Sequence, residues 1–359
     1  MVTRLRLMTA LLVVAVACPT LRAQNKPAKR SIIEQLQIKS SLTDDEKKQL
    51  RTWIEQRVQA IVTVEGGNAT AARELRSAYA KGTAEFKDTF AQAYLAVIDA
   101  AYKRAKDAPA AQLIAIANTL DKVEAYKALL KALSNQRVPV RTAAAIGLRR
   151  LRPKLAAAGD PAFSQTIQAL ADAAAKETSA ITLGILYEAM DYTAVGRGVP
   201  SRKTIATALL HVLESRGKQY QTGKVSAAAA DGPGLRLAAK LAGQYAEEEK
   251  TRLIGAAAAM LAFGVERYTG DLYKVDEKTA SPVRIAMRNR FEQFIVDSEA
   301  LLETLAKPAE KPGVAVAMET STQDNKRIAM TNAMKKWAAF LKQQYQISVS
   351  VPGGAPAQP

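Results

Sequence analysis

The sequence predicts an all-α protein assembled from repeated helical units, and three observations carry that prediction. Alanine, the best helix former, fills 69 of 359 positions, whereas Gly (19) and Pro (14) are sparse. Apolar residues recur at spacings of three and four along most of the chain, the period of one buried helix face. A phrase in which Val-Arg or Leu-Arg precedes small residues returns at Arg141, Arg236 and Arg284, 95 and 48 residues apart, consistent with a unit of about 47 residues.

Residues 1–23 read as an export signal. Arg4 and Arg6 form a charged start, Leu7 to Cys18 is uncharged and mostly apolar, and Leu21-Arg22-Ala23 supplies a small residue at a cleavage point. A membrane span needs about 20 apolar residues, and Pro19 and Arg22 interrupt this run. A lipid anchor on Cys18 is the alternative reading, since Ala15-Val16-Ala17-Cys18 places a cysteine after a small residue. Lipoprotein signals usually carry Leu where this chain has Ala15. Cleavage after Ala23 removes three of the arginines, leaves a net charge of +14, and takes away the single cysteine. The exported protein is then held by its core without a disulfide framework, in a periplasmic or extracellular setting.

Residues 24–42 are polar and basic around Lys26, Pro27, Lys29 and Arg30, and predict a flexible arm. A helical block follows over 43–108. Thr43-Asp44-Asp45-Glu46 fits a capping box, in which hydroxyl and carboxylate satisfy two amides at the helix start. Leu50, Ile54, Val58 and Ile61 then line one face, and Gly66-Gly67 ends the helix. A second helix over 84–106 carries Phe86, Phe90, Tyr94, Ile98 and Tyr102 at helical spacing, which marks an aromatic core row. Pro109 closes the block.

Repeats are predicted over 109–305. Pro139-Val140-Arg141-Thr142-Ala143-Ala144 is echoed by Gly234-Leu235-Arg236-Leu237-Ala238-Ala239 and by Pro282-Val283-Arg284-Ile285-Ala286, with Ala180 to Met190 the candidate for an intervening copy. Here the chain resembles the HEAT-repeat family, whose second helix opens with Pro or a turn residue, then Val-Arg, two small residues and an aliphatic run. Ser134 to Leu151 is the fullest match. The resemblance implies a curved α-solenoid with a C-terminal capping helix. Where the family often places an acidic residue in the turn before Val-Arg, Ser134 and Asn135 stand in the first copy, and Asp231 and Asp276 are the candidates later. Val195 to Pro200 and Gly217 to Gly234 predict long loops. Residues 306–322 form a linker around Lys307 to Gly313, and a final helix over 323–347 carries Ile328, Met330, Met334, Trp337, Phe340 and Leu341. Tyr345, Ile347, Val349 and Val351 alternate with polar residues, a strand signal, and 348–359 is a flexible tail.

The catalytic inventory is thin. His211 is the only histidine, so a two-histidine metal motif has no second member, and its place opposite Ile205, Leu209 and Val212 puts it on the surface. No G-x-S-x-G elbow, phosphate-binding loop or dinucleotide fingerprint occurs, and no cofactor is implied. Asp44 to Glu46 and Glu247 to Glu249 suit helix starts and exposed ion pairs. Positive charge is the stronger lead. Between Glu124 and Asp160 there is no acidic residue, and Arg137, Arg141, Arg149, Arg150, Arg152 and Lys154 become the candidate interaction residues. The expected function is a non-enzymatic scaffold whose curved surface binds a protein or an acidic polymer. The alternatives are a metal-independent hydrolase using Asp or Glu, and a basic nucleic-acid-binding solenoid should residues 1–23 not direct export; nucleic acid fits poorly with an exported protein.

Overall fold

The computed structural model describes residues 31–193, 195, 200–276 and 278–352. The expected export signal, Cys18, the start of the basic arm, most of the Val195 to Pro200 loop and the end of the tail lie outside the described residues. Among the described residues all regular structure is helical. The first helices are α1 (Ile32–Gln37), α2 (Asp44–Val62), α3 (Ala69–Lys81), α4 (Ala84–Arg104) and α5 (Asp107–Ala117). The middle of the chain forms α6 (Ala125–Leu133), α7 (Val138–Ala158), α8 (Ala162–Lys176), α9 (Ala180–Met190), α10 (Arg202–Gln221) and α11 (Gly232–Lys240). The last are α12 (Glu247–Gly270), α13 (Pro282–Ala306), α14 (Val314–Thr320) and α15 (Gln323–Tyr345). None of these helices is long and apolar enough to cross a membrane.

From α4 onward the contacts form two alternating series. The helices α4, α6, α8, α10 and α12 touch in succession, as do α5, α7, α9, α11 and α13. The two series are joined within the pairs α4 with α5, α6 with α7, α8 with α9, α10 with α11, and α12 with α13. Small residues permit this spacing. A methyl added at Gly217 on α10 would lie 2.9 Å from the backbone of Ala256 on α12, so those two helices meet backbone against side-chain stub. Val140, Ala144, Gly147, Leu148 and Leu151 of α7 are all buried, the face that the repeat phrase predicts.

Local signals set several starts. Glu46 donates its amide to Thr43 Oγ1 (3.4 Å) and accepts from the Thr43 amide (3.0 Å), closing the capping box. The aromatic row of α4 is buried, with Phe90 and Tyr94 stacked at 6.1 Å, and the Tyr94 hydroxyl donates to the Leu113 carbonyl of α5 at 2.7 Å.

Five expectations are corrected. The basic arm does not extend to residue 42: Ile33, Leu36 and Leu42 are buried, and Gln37 Nε2 donates to the Ala78 carbonyl (3.0 Å), so α1 is fastened to α3. Pro109 does not close a block but sits in the first turn of α5, where its missing amide costs nothing. The loop expected over Gly217 to Gly234 shrinks to 222–231, because both glycines belong to helices at close contacts. The linker over 306–322 contains α14, whose Val314 and Met318 are buried. The alternating segment after Tyr345 forms no strand among the described residues; Ile347, Val349 and Val351 instead lean on the helical core.

The 222–231 loop wraps the most buried charges of the protein. Arg216 on α10 and Asp231 before α11 both have side chains 0% exposed. Arg216 Nε and Nη2 each donate to Asp231 at 2.9 Å, and the hydroxyls of Tyr187 (2.6 Å) and Tyr220 (2.7 Å) donate to the same carboxylate. Nη2 also reaches the carbonyls of Ser226 (2.9 Å) and Ala227 (3.4 Å), while Nη1 donates to Gln219 Oε1 (3.2 Å) and the Glu177 carbonyl (3.5 Å). Ala227 (φ 54°) and Ala229 (φ 59°) hold left-handed backbone, a conformation that costs an alanine about 1–2 kcal/mol and that these bonds sustain. Removing one member of a buried ion pair strands the other in a medium that cannot solvate it. Asp231→Ala is expected to lower unfolding free energy by about 3–5 kcal/mol in a urea titration followed by helical circular dichroism.

Candidate functional site

The six cations singled out in the sequence lie on α7 or at its N-cap, Arg137. Their acidic partners come from outside the acid-free run. Arg137 donates to the carbonyls of Tyr102 (2.7 Å) and Ala105 and faces Asp107 at 3.8 Å. Arg141 makes a two-point contact with Glu177, Nη2 to Oε1 at 2.7 Å and Nε to Oε2 at 2.8 Å. Arg149 pairs with Glu188 on α9, and Lys154 with Asp121 at 2.8 Å. Four of the six therefore face a carboxylate supplied by a neighbouring segment.

Arg152 serves the backbone. Pro153 lies inside α7 and has no amide to give the carbonyl of Arg149, four residues back. Arg152 Nε takes that carbonyl at 3.0 Å, while its Nη1 donates to the carbonyls of Glu188 (2.8 Å) and Asp191 at the end of α9. One side chain thus satisfies the orphan of a helix-internal proline and caps the next helix in its series. Arg150 is exposed and makes no hydrogen bond or ion pair with any described residue.

The acids that meet the repeat arginines are not those the sequence suggests. Arg141 takes Glu177 and Arg236 takes Asp297 on α13, whereas Asp231 is committed to Arg216 and the two tyrosines. Asp276 accepts from the Lys278 amide and the Thr279 hydroxyl in its own turn. Burial pushes the Glu177 carboxyl up, but the Arg141 bonds and the Ser179 and Thr178 amides outweigh it and hold it below its usual 4.5. The Arg141 guanidinium is raised by the same contact. Sequence reasoning missed Glu177, Arg216, Tyr187 and Tyr220, because an acid 36 residues from its arginine carries no local signature.

Two open depressions flank this layer. The first, about 540 Å³, has an apolar floor from Leu130, Leu133 and Ala173 and a rim of Asp172, Lys176 and the Arg141–Glu177 pair. Exposed His211 stands 3.9 Å from Asp172 at its edge. The second, also about 540 Å³, runs between α9 and α13 above the start of α11, with Ile181, Gly184 and Ile185 on one wall and Arg290 and Phe294 on the other. Its two acids are already matched, Glu188 by Arg149 and Asp297 by Arg236. Burial raises the Asp297 carboxyl above its ordinary 3.8, only partly offset by Gln293 and Arg236. Arg290 has no hydrogen bond or ion pair among the described residues. No cluster of three or more His, Cys, Asp or Glu suited to a metal ion occurs among the described residues.

No protein-family model matches the chain, and no curated protein matches it in sequence.

Two outcomes follow for α7. Glu177 has a folded-state pKa below its unfolded value, so it adds stability that is present above about pH 4.5 and lost as pH falls through the folded value. Glu177→Gln is therefore expected to lower stability at pH 7 and to flatten the acid limb of a stability–pH profile. Arg152→Ala is expected to cost about 2–3 kcal/mol in urea, and Arg150→Ala less than about 0.5 kcal/mol. Equal effects of the two would contradict the capping role.

Proposed function

We propose that the chain is an exported, non-enzymatic interaction scaffold built as a HEAT-like α-solenoid, acting in the periplasm or outside the cell. The carrying observation is the pair of alternating helix series from α4 to α13, in which every helix is packed by its second neighbour and open depressions remain between units. Stacked units of this kind share a continuous core and present extended surfaces, which suits recognition by shape over many residues. The buried core from Ile33 to Leu341, in this reading, is support, and the surface between units is where a partner sits.

Of the two partner classes, a protein is favoured over an acidic polymer. Polyanion binding draws on clustered unmatched cations, and on α7 four of the six candidates already face carboxylates while Arg152 is occupied by carbonyls. The charge that remains there is that of Arg150.

Small-angle scattering of purified residues 24–359 tests the architecture. A compact globule of this size has a radius of gyration of about 20 Å, and the solenoid is expected to exceed it clearly. In parallel, an acidic polysaccharide and duplex DNA titrated at physiological salt are expected to bind weakly, with the loss steep between low and moderate salt. A globular radius, or polyanion binding that persists at physiological salt, would turn the reading toward the alternatives.

A further inference from the structure

The groove between α9 and α13 contains a residue that the fold itself does not explain. Gly184 lies in the middle of α9, and a methyl built there meets nothing within 4 Å. Glycine in a helix interior is less stable than alanine, and its use there ordinarily reflects a close neighbour. The interior glycines at 147, 217 and 264 have such neighbours, at 2.1, 2.9 and 3.1 Å from the added methyl. Gly184 faces the groove and open space.

The surroundings define what fits that space. Ile181, one turn earlier on α9, is 73% exposed, and on α13 Val283 (71%) and Met287 (44%) are exposed as well. Val283, Met287, Arg290 and Phe294 follow at intervals of four, three and four, so the two exposed apolar side chains stand in line with Arg290 and with the buried Phe294 of the groove wall. The single unmatched charge lining the groove is Arg290, since Glu188 and Asp297 are neutralised from outside and within. The groove is therefore largely apolar, formally neutral in its lining with one unmatched cation at Arg290, and shallowest in side-chain bulk at Gly184.

Resting on the scaffold reading, we propose that this groove binds an amphipathic protein segment, whose backbone passes over Gly184, whose apolar side chains lie against Ile181 and Met287, and whose carboxylate meets Arg290. A bilayer is the less suitable occupant because Ile181 and Ile185 face Phe294 across a depression, and only Val283 and Met287 stand outside it. Charge complementarity selects an acidic segment, and the missing side chain at Gly184 lets a main chain approach closely.

The test is selection of a random 12-residue peptide library displayed on phage against immobilised residues 24–359, followed by fluorescence anisotropy with the strongest synthetic peptide. Enriched sequences are expected to carry Asp or Glu between aliphatic residues. Gly184→Leu and Arg290→Glu are each expected to weaken the peptide at least tenfold, with Arg150→Glu unchanged, and a Glu-to-Lys change in the peptide is expected to recover binding to Arg290→Glu. Gly184→Ala is the control for folding: it is expected to raise the melting temperature while lowering affinity, a combination that damage to the fold does not produce. Peptides that bind but ignore every groove variant would overturn this inference and leave the scaffold reading standing. No enrichment of any peptide would overturn both.

Discussion

The buried Asp231 carboxylate is the constraint around which the middle of the protein is arranged. A charge withdrawn from water is tolerable only when its lone pairs are filled, and Asp231 receives Arg216 together with the hydroxyls of Tyr187 and Tyr220. Those donors stand on α9 and α10, and the acceptor leads into α11. Satisfying one carboxylate therefore fixes the relation of three helices. The demand extends to the chain between them, because Arg216 Nη2 also takes the carbonyls of residues 226 and 227, which a loop with left-handed backbone at Ala227 and Ala229 brings to it. Strain in the loop is thus the consequence of a polar requirement in the core.

The same logic at lower burial governs α7. An acid-free stretch of sequence with eight positive charges, five of them on one helix, looks like a binding surface, yet net charge is a sum and says nothing of where opposite charges arrive in space. Carboxylates from the segments before and after the helix meet its cations: Asp107 and Asp121 from one side, Glu177 and Glu188 from the other. The basic run is in large part the seam between consecutive units. The pairing of Arg152 with the carbonyl freed by Pro153 shows how local this accounting becomes, since a proline that should end the helix is accommodated by its own neighbour.

What could be read from sequence divides by range. The Thr43–Glu46 box, the aromatic row of α4 and the buried face of α7 depend on residues within a few turns of one another, and these the periodicity shows. The α1 helix went unread because its six residues follow a basic stretch, although Ser31 and Glu34 form a capping box as Thr43 and Glu46 do, and Gln37 ties the helix to the Ala78 carbonyl of α3. The seven residues of α14 were hidden for a similar reason: Glu299 on α13 accepts from the amides of Val314 and Ala315 and from Trp337 Nε1, a tertiary cap that flanking prolines obscure. Glu177 and Arg216 could not be distinguished from surface charges, as burial is a property of the fold and not of a window of sequence.

The groove and the buried hub have one geometric origin. In the series α7, α9, α11, α13 the outer members have 21 and 25 residues and the inner ones 11 and 9. Two short helices between two long ones leave a depression, and beside it the α13 side chains of Val283, Met287 and Arg290 stay exposed. Helices this short are marginal by themselves and must be held by tertiary contacts. The hub supplies them, because Tyr187 anchors α9 and Asp231 anchors the start of α11 to the longer α10 behind. A deep polar anchor on one side is what allows the other side to remain open, with half-buried Gly184 facing empty space on a helix that would otherwise need every stabilising residue available to it. The fold in this way concentrates its stability beneath the surface that it leaves unfilled.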